Sequence, residues 1–97
     1  MEGAEGIHGR TVQYEQPDWG PLLRVVGQHL ARRLMWMAEI ELRDGTRVHA
    51  YKHIDTRRYL HLDTSGRAFA FRQDASYREF PTFAAVICAF SKPGAKG

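Results

Sequence analysis

The sequence predicts an α+β domain in which two helices flank an antiparallel meander sheet of four or five strands. Apolar residues recur at helical spacing over residues 19–34, whereas they alternate with polar residues over much of 36–72. Two short loops ending in glycine interrupt the alternating region, and a short, almost wholly apolar segment follows at residues 83–90. A chain of 97 residues accommodates one such domain and no second one.

The two ends of the chain differ in composition from its middle. Residues 1–16 carry little apolar periodicity, and residues 91–97 form a short basic stretch. We therefore expect a flexible N-terminal segment over 1–16, a single folded domain over 17–90 and a flexible basic tail over 91–97.

The first helix is predicted over residues 19–33. Its apolar stripe has three- and four-residue steps and comprises Trp19, Leu22, Leu23, Val26, Leu30 and Leu34. Asp18 is the expected N-cap, and Pro21 is tolerated in the first turn because its missing N–H has no helical partner there. Gly27 weakens a helix by about 1 kcal/mol relative to alanine, which indicates a close packing contact at this position.

Residues 35–42 and 47–53 are predicted as the first two strands, joined by a tight turn. A three-residue loop that ends in Gly45, with this glycine in the left-handed conformation, places Ile40 opposite Val48. This register sets apolar against apolar side chains, whereas a two-residue loop sets apolar against polar ones. The three-residue loop is therefore preferred.

The second hairpin joins strands predicted over 57–63 and 67–72. Its loop ends in Gly66, so the same reasoning predicts a three-residue turn. A short fifth strand is predicted over 77–80. The segment 83–90 has no polar face, which is typical of a buried or interfacial helix.

The link between the two hairpins contains no glycine, so its register is chosen to keep apolar residues on one face. This criterion predicts Ala50 opposite Leu60. One face is then aliphatic and comprises Ala38, Ile40, Leu42, Val48, Ala50, Leu60, Leu62, Ala68 and Ala70. The other face is rich in rings and comprises Met37, His49, Tyr51, His53, Tyr59, His61, Phe69 and Phe71.

The ring-rich face supports two hypotheses. Exposed rings on a sheet bind single-stranded nucleic acid by base stacking, here through His49, Tyr51, Tyr59, His61, Phe69 and Phe71. Alternatively, the C-terminal helix or the partner in a homodimer covers this face. His49 and His61 are also expected side by side, but no further residue completes their ligand set, so no metal is predicted.

The same registers place cations opposite one another at one end of the aliphatic face. The predicted row across four strands comprises Trp36, Lys52, Arg58 and Arg72. Like charges directly opposite destabilise a sheet by about 0.2–1 kcal/mol per pair, so the row needs solvent, a carboxylate or a bound anion. The predicted anion site comprises Lys52, His53, Arg57, Arg58 and Arg72. The alternative is that these side chains extend into solvent and bind nothing specific.

Composition and motifs limit the function classes. A net charge of +3 excludes a strongly basic nucleic-acid binder but allows one basic patch. The sequence contains no phosphate-binding loop or catalytic elbow, so no catalytic residue and no cofactor are predicted. The apolar runs are shorter than the ~20 residues that span a bilayer, so no membrane partner is expected. The lone Cys88 lies in an apolar run, which is typical of a buried, inert thiol in a reducing cytoplasm.

We therefore expect a small, non-enzymatic, cytoplasmic binding domain. Its first predicted partner is a nucleic acid or a phosphate-like anion that binds the basic patch. The alternative is a protein-interaction module or homodimer that uses the apolar C-terminal helix and the ring-rich face.

Overall fold

A computed structural model describes residues 6–12 and 16–91 and shows a six-stranded antiparallel barrel with two helices on its outside. In chain order, the elements are β1 (Ile7–Val12), α1 (Gly20–Ala31), β2 (Leu34–Leu42), β3 (Arg47–His53), β4 (Tyr59–Asp63), β5 (Ala68–Phe71), β6 (Ser76–Phe80) and α2 (Thr82–Phe90). Each strand pairs with the next, and β6 pairs with β1 to close the barrel. The parts of the expected flexible segments at 1–5, 13–15 and 92–97 lie outside the described residues.

The prediction of an α+β fold with an open meander of four or five strands is wrong, because β1 adds a strand that closes the sheet. This strand lies in the N-terminal segment, where no element was predicted. Its six residues are mostly polar and small, so they show little apolar alternation. Gly9 lies opposite Leu42, and a Cβ at Gly9 would be 2.7 Å from Cγ2 of Ile40. The glycine therefore lets β1 lie directly against β2, and closure removes the free edges of the sheet.

Both glycine turns adopt the predicted conformation. Gly45 has φ 91° and Gly66 has φ 94°, both in the left-handed region. Ile40 lies opposite Val48, and Leu62 lies opposite Ala68, so the predicted register next to each turn is confirmed.

The predicted register between the hairpins is wrong by one residue. Ala50 lies opposite His61 instead of Leu60. The loop uses four residues, since the His53 N–H donates to the Arg58 carbonyl oxygen at 2.8 Å, and Arg57 takes the left-handed conformation at φ 66°. An arginine in this conformation leaves no turn signal in the sequence. A shift of one residue moves every β4 side chain to the other face of the sheet.

Two cores therefore lie on opposite sides of one sheet. The inner core fills part of the barrel and comprises Ile40, Leu42, Val48, Ala50, Phe69 and Tyr77, with Ile7 and Ala38 packed against it. The outer core lies between the sheet and the helices and comprises Leu22, Ala31, Leu34, Tyr51, Leu60, Leu62, Ala68, Ala85 and Ala89. The single aliphatic face expected from the sequence is thus divided between two cores.

The first helix begins at Gly20, with Pro21 in its first turn, and is interrupted near its C-terminal end. The backbone leaves the helical region at Gly27, with φ 82° and ψ 166°. Nothing lies within 4 Å of a Cβ built at Gly27, so the predicted close packing contact is wrong. The glycine is needed for its backbone conformation, which other residues adopt only with strain.

The second helix crosses the outside of the barrel and is fixed at both ends. The Thr82 hydroxyl donates to the Gly66 carbonyl oxygen at 2.9 Å, and the Thr56 hydroxyl donates to the Ala89 carbonyl oxygen at 2.6 Å. This helix therefore spans the barrel wall from the β4–β5 turn to the β3–β4 loop. Within residues 6–12 and 16–91, neither helix has the length and apolar character that a membrane crossing requires.

Candidate ligand cavity in the barrel

A cavity of about 780 Å³ lies in the barrel and opens at the end where β4 begins and β5 ends. It is lined by Thr11, Met37, Ala38, Ile40, Ala50, Arg58, Tyr59, Leu60, His61, Phe69, Ala70, Phe71, Tyr77, Phe80, Ala85 and Cys88. The small side chains of Ala38 and Ala50 leave inner volume that larger residues would fill. Cavities of this size accommodate small organic molecules.

The cavity extends sideways because β4 and β5 separate towards their open end. These strands pair at His61 with Phe69 and at Leu62 with Ala68, close to their turn. Beyond those pairs the barrel wall is incomplete, and α2 supplies Ala85 and Cys88 to the lining. The same Cys88 is exposed, so the prediction of a buried thiol is wrong.

His61 places a polar group in this apolar cavity. Its side chain is 8% exposed and makes no hydrogen bond with any residue that the structure describes. The imidazole stacks on the Tyr59 ring with centroids 5.6 Å apart and meets the Tyr77 ring edge-on at 5.3 Å. Burial lowers the pKa of His61 to about 4, so the imidazole is neutral at pH 7. A neutral imidazole has one donor and one acceptor, and no described residue bonds either, although both nitrogens keep some contact with solvent.

The mouth of the cavity combines exposed rings with positive charge. Tyr59 is 45% exposed and Phe71 is 56% exposed, although both line the cavity. The Lys52 ammonium lies 5.6 Å from the centroid of the Tyr59 ring. Arg58 is exposed and, among the described residues that line the cavity, is the one with a formal charge at pH 7, since no described aspartate or glutamate lines it.

The structure does not form the cation row from which the anion site was predicted. A β-bulge between Trp36 and Ala38 places Trp36 opposite Tyr51 and Met35 opposite Lys52. Separately, the one-residue shift between β3 and β4 places Lys52 opposite Tyr59 and not opposite Arg58. The register argument for the site is therefore wrong, and its residues must be placed one by one.

The five predicted anion-site residues lie in three settings. Lys52 and Arg58 both flank Tyr59, so the structure brings them to the cavity mouth. His53 is buried, and its Nδ1 accepts hydrogen bonds from the N–H groups of Asp55 and Thr56. Its role is thus to hold the β3–β4 loop. Arg57 in that loop and Arg72 after β5 are exposed, and neither lines the cavity.

The six predicted ring contacts are divided between the two sides of the sheet. Tyr51 and His49 lie on the outer side, with the Tyr51 hydroxyl donating to the Asp18 carbonyl oxygen at 2.6 Å. His61 and Phe69 lie inside the barrel and are buried. Of the six, Tyr59 and Phe71 alone are exposed enough to stack on a base. The expected continuous ring-rich face is absent because the β3–β4 register differs from the predicted one.

His49 lies in a buried polar pair outside the barrel. Its Nδ1 is 3.6 Å from Oε1 of Glu39, and neither ring nitrogen has a hydrogen-bond partner among the described residues. Arg47 donates to Oε2 of Glu39 at 2.6 Å. The expected neighbours His49 and His61 lie on opposite sides of the sheet, since His49 pairs with Leu62. Within 6–12 and 16–91, no three histidine, cysteine or acidic residues are grouped to hold a metal ion.

The sequence reasoning missed the features that make the cavity. Ala38, Ala50 and Ala70 were assigned to the aliphatic face of an open sheet, whereas they line the cavity. Tyr77 and Cys88 were not considered as lining residues. The signal in the sequence was the recurrence of alanine in strands that otherwise carry large side chains. Comparison of the chain with protein-family models, with curated proteins and with solved structures found no significant match.

Proposed function

We propose that the barrel binds a small, predominantly apolar molecule and holds a polar group of that molecule at His61. The observation that carries this proposal is a mostly buried imidazole, hydrogen-bonded to no described residue, in a cavity of about 780 Å³. A ligand hydroxyl or carbonyl group that reaches His61 would hydrogen-bond the imidazole away from bulk solvent, while the apolar part of the ligand fills the space between the rings.

Binding is preferred over catalysis because the lining offers no coupled acid–base pair. His61 makes no hydrogen bond with Cys88, Tyr59 or Tyr77, and no carboxylate of residues 6–12 or 16–91 lines the cavity. Activation of a nucleophile requires a base within hydrogen-bond reach. The proposal therefore keeps the non-enzymatic binding domain expected from the sequence and replaces the surface patch with an interior site.

The test is saturable binding of an uncharged fluorescent dye, Nile red, and its displacement by decanol. We expect one dye per chain, and we expect Ala70→Phe to weaken binding by about tenfold or more because the ring fills the lateral part of the cavity. Gln28→Phe is the matched control on exposed α1, where binding should change less than about twofold. Circular dichroism confirms that both variants are folded. Absence of saturable binding, or equal loss in both variants, would contradict the proposal.

A single-stranded oligonucleotide in the same assay tests the alternative partner. Only Tyr59 and Phe71 of the six predicted ring contacts are exposed, so we expect no displacement of the dye at low salt. Displacement that disappears as salt rises would favour nucleic acid on the exposed rings over the interior site.

A further inference from the structure

We propose that the ligand is an amphipathic monoanion whose carboxylate binds Arg58 and whose apolar body enters the barrel. This inference rests on the proposed function and names the ligand class for the same cavity. The neutral interior cannot hold a carboxylate without a partner, since an isolated buried charge is strongly disfavoured. The mouth, however, offers a cation beside solvent.

The charge of the lining favours an anion over a cation. Among the described residues that line the cavity, Arg58 carries the formal charge, and no acidic side chain opposes it. No carboxylate lies within ion-pair distance of Arg58 in the described chain. Lys52 contributes a second cation at the same edge, held over the Tyr59 ring. An anion at the mouth would therefore be attracted by two cations and repelled by no lining carboxylate.

The backbone that carries Arg58 is fixed before a ligand arrives. The Arg58 N–H donates to the Thr56 hydroxyl oxygen at 3.1 Å, and the Arg58 carbonyl oxygen accepts from His53. The same Thr56 hydroxyl donates to Ala89 at the end of α2. A planar guanidinium on a fixed backbone suits a carboxylate, because it can donate two parallel hydrogen bonds.

The test compares two ligands that share a chain length and differ in charge. Decanoate and decanol are titrated separately at pH 7.5, low salt and submicellar concentration, with calorimetry as the readout. We expect decanoate to bind about tenfold more tightly than decanol. We expect Arg58→Gln to weaken decanoate binding by about tenfold and to change decanol binding less than about twofold.

Arg43→Gln removes the same charge from the turn after β2, at the opposite end of the barrel, and serves as the matched control. It should leave both affinities unchanged. Equal binding of decanoate and decanol would overturn this inference and leave the proposed function standing. Tighter binding of decanoate that persists in Arg58→Gln would overturn the assignment to Arg58. Binding of neither ligand would overturn both proposals.

Discussion

Ala50 lies directly opposite His61 in the β3–β4 pair, which places the imidazole inside the barrel among apolar side chains. The predicted register would have set Ala50 opposite Leu60 and left His61 on the other side of the sheet. The observed register makes His61 a buried polar residue in the cavity and makes Leu60 part of the outer core. One residue of register thus decides whether the barrel interior contains a hydrogen-bonding group.

The burial of His61 predicts acid sensitivity. Its pKa is lowered to about 4 in the folded protein, against about 6.5 in the unfolded chain. The unfolded chain therefore binds more protons between these values, so this group's contribution to stability is complete above pH 6.5 and is lost as pH falls towards 4. The loss between pH 7 and pH 4.5 should be about 2 kcal/mol.

Urea unfolding of the wild type and of His61→Phe at both pH values measures this contribution. Other groups titrate in both proteins, so the informative quantity is the difference between their pH dependences. We expect the variant to lose less stability on acidification by about 2 kcal/mol. Identical pH dependence in the two proteins would contradict the burial of a neutral imidazole.

Closure of the barrel predicts a strong effect at Gly9. A Cβ at this position would lie 2.7 Å from both Cγ2 of Ile40 and Cδ2 of Leu42. Gly9→Val should therefore destabilise the protein by about 2–3 kcal/mol, since β1 must move away from β2. His8→Val, on the exposed neighbour, should change stability by less than about 0.5 kcal/mol. Thermal unfolding measures the stability of both variants. Equal stability would argue against the placement of β1 in the barrel.

The interruption of α1 predicts that alanine is unfavourable at Gly27. The backbone there has φ 82° and ψ 166°, a region that is essentially restricted to glycine. Gly27→Ala should destabilise the protein by roughly 1–3 kcal/mol, although alanine is the better helix former. The control Gln28→Ala should have an effect within about 0.5 kcal/mol. Chemical denaturation distinguishes the two, and stabilisation by Gly27→Ala would indicate a continuous helix.

Removal of the Tyr51 hydroxyl should lower the stability of the folded protein. It is fully buried and donates to the Asp18 carbonyl oxygen at 2.6 Å, which fixes the entry to α1. Tyr51→Phe should destabilise the protein by roughly 1–2 kcal/mol because the carbonyl loses its partner. The matched change Tyr59→Phe removes an exposed hydroxyl and should cost less than about 0.5 kcal/mol. Equal effects in urea unfolding would contradict this contact.

The local features of the fold could be predicted where the chain carries a local signal. Gly45 and Gly66 indicated the two tight turns, and the residues next to these turns gave the correct register there. Arg57 gave no such signal, because its left-handed conformation is imposed by the loop and not by its own preference. The register error then followed from the choice of a loop that was one residue too short.

The non-local features could not be read from the sequence. Closure depends on β1 meeting both β2 and β6, and its short polar sequence shows no preference for either partner. The cavity depends on closure, since Ala38 and Ala50 line an enclosed space only when the sheet curls around them. The predicted anion-site residues Lys52 and Arg58 both lie at the cavity mouth, although their neighbours differ from the predicted ones. Whether they bind an anion stays a prediction.

Chemical-shift mapping with decanol tests the central claim, an interior ligand site at His61, most directly. The chain is labelled so that the imidazole nitrogens and the alanine methyl groups are observed. We expect saturable shifts of the His61 nitrogens and of the Ala38 and Ala50 methyl groups, while Ala31 in the outer core stays unchanged. Shifts confined to surface residues, or a His61 signal that does not respond to saturating decanol, would contradict the interior site.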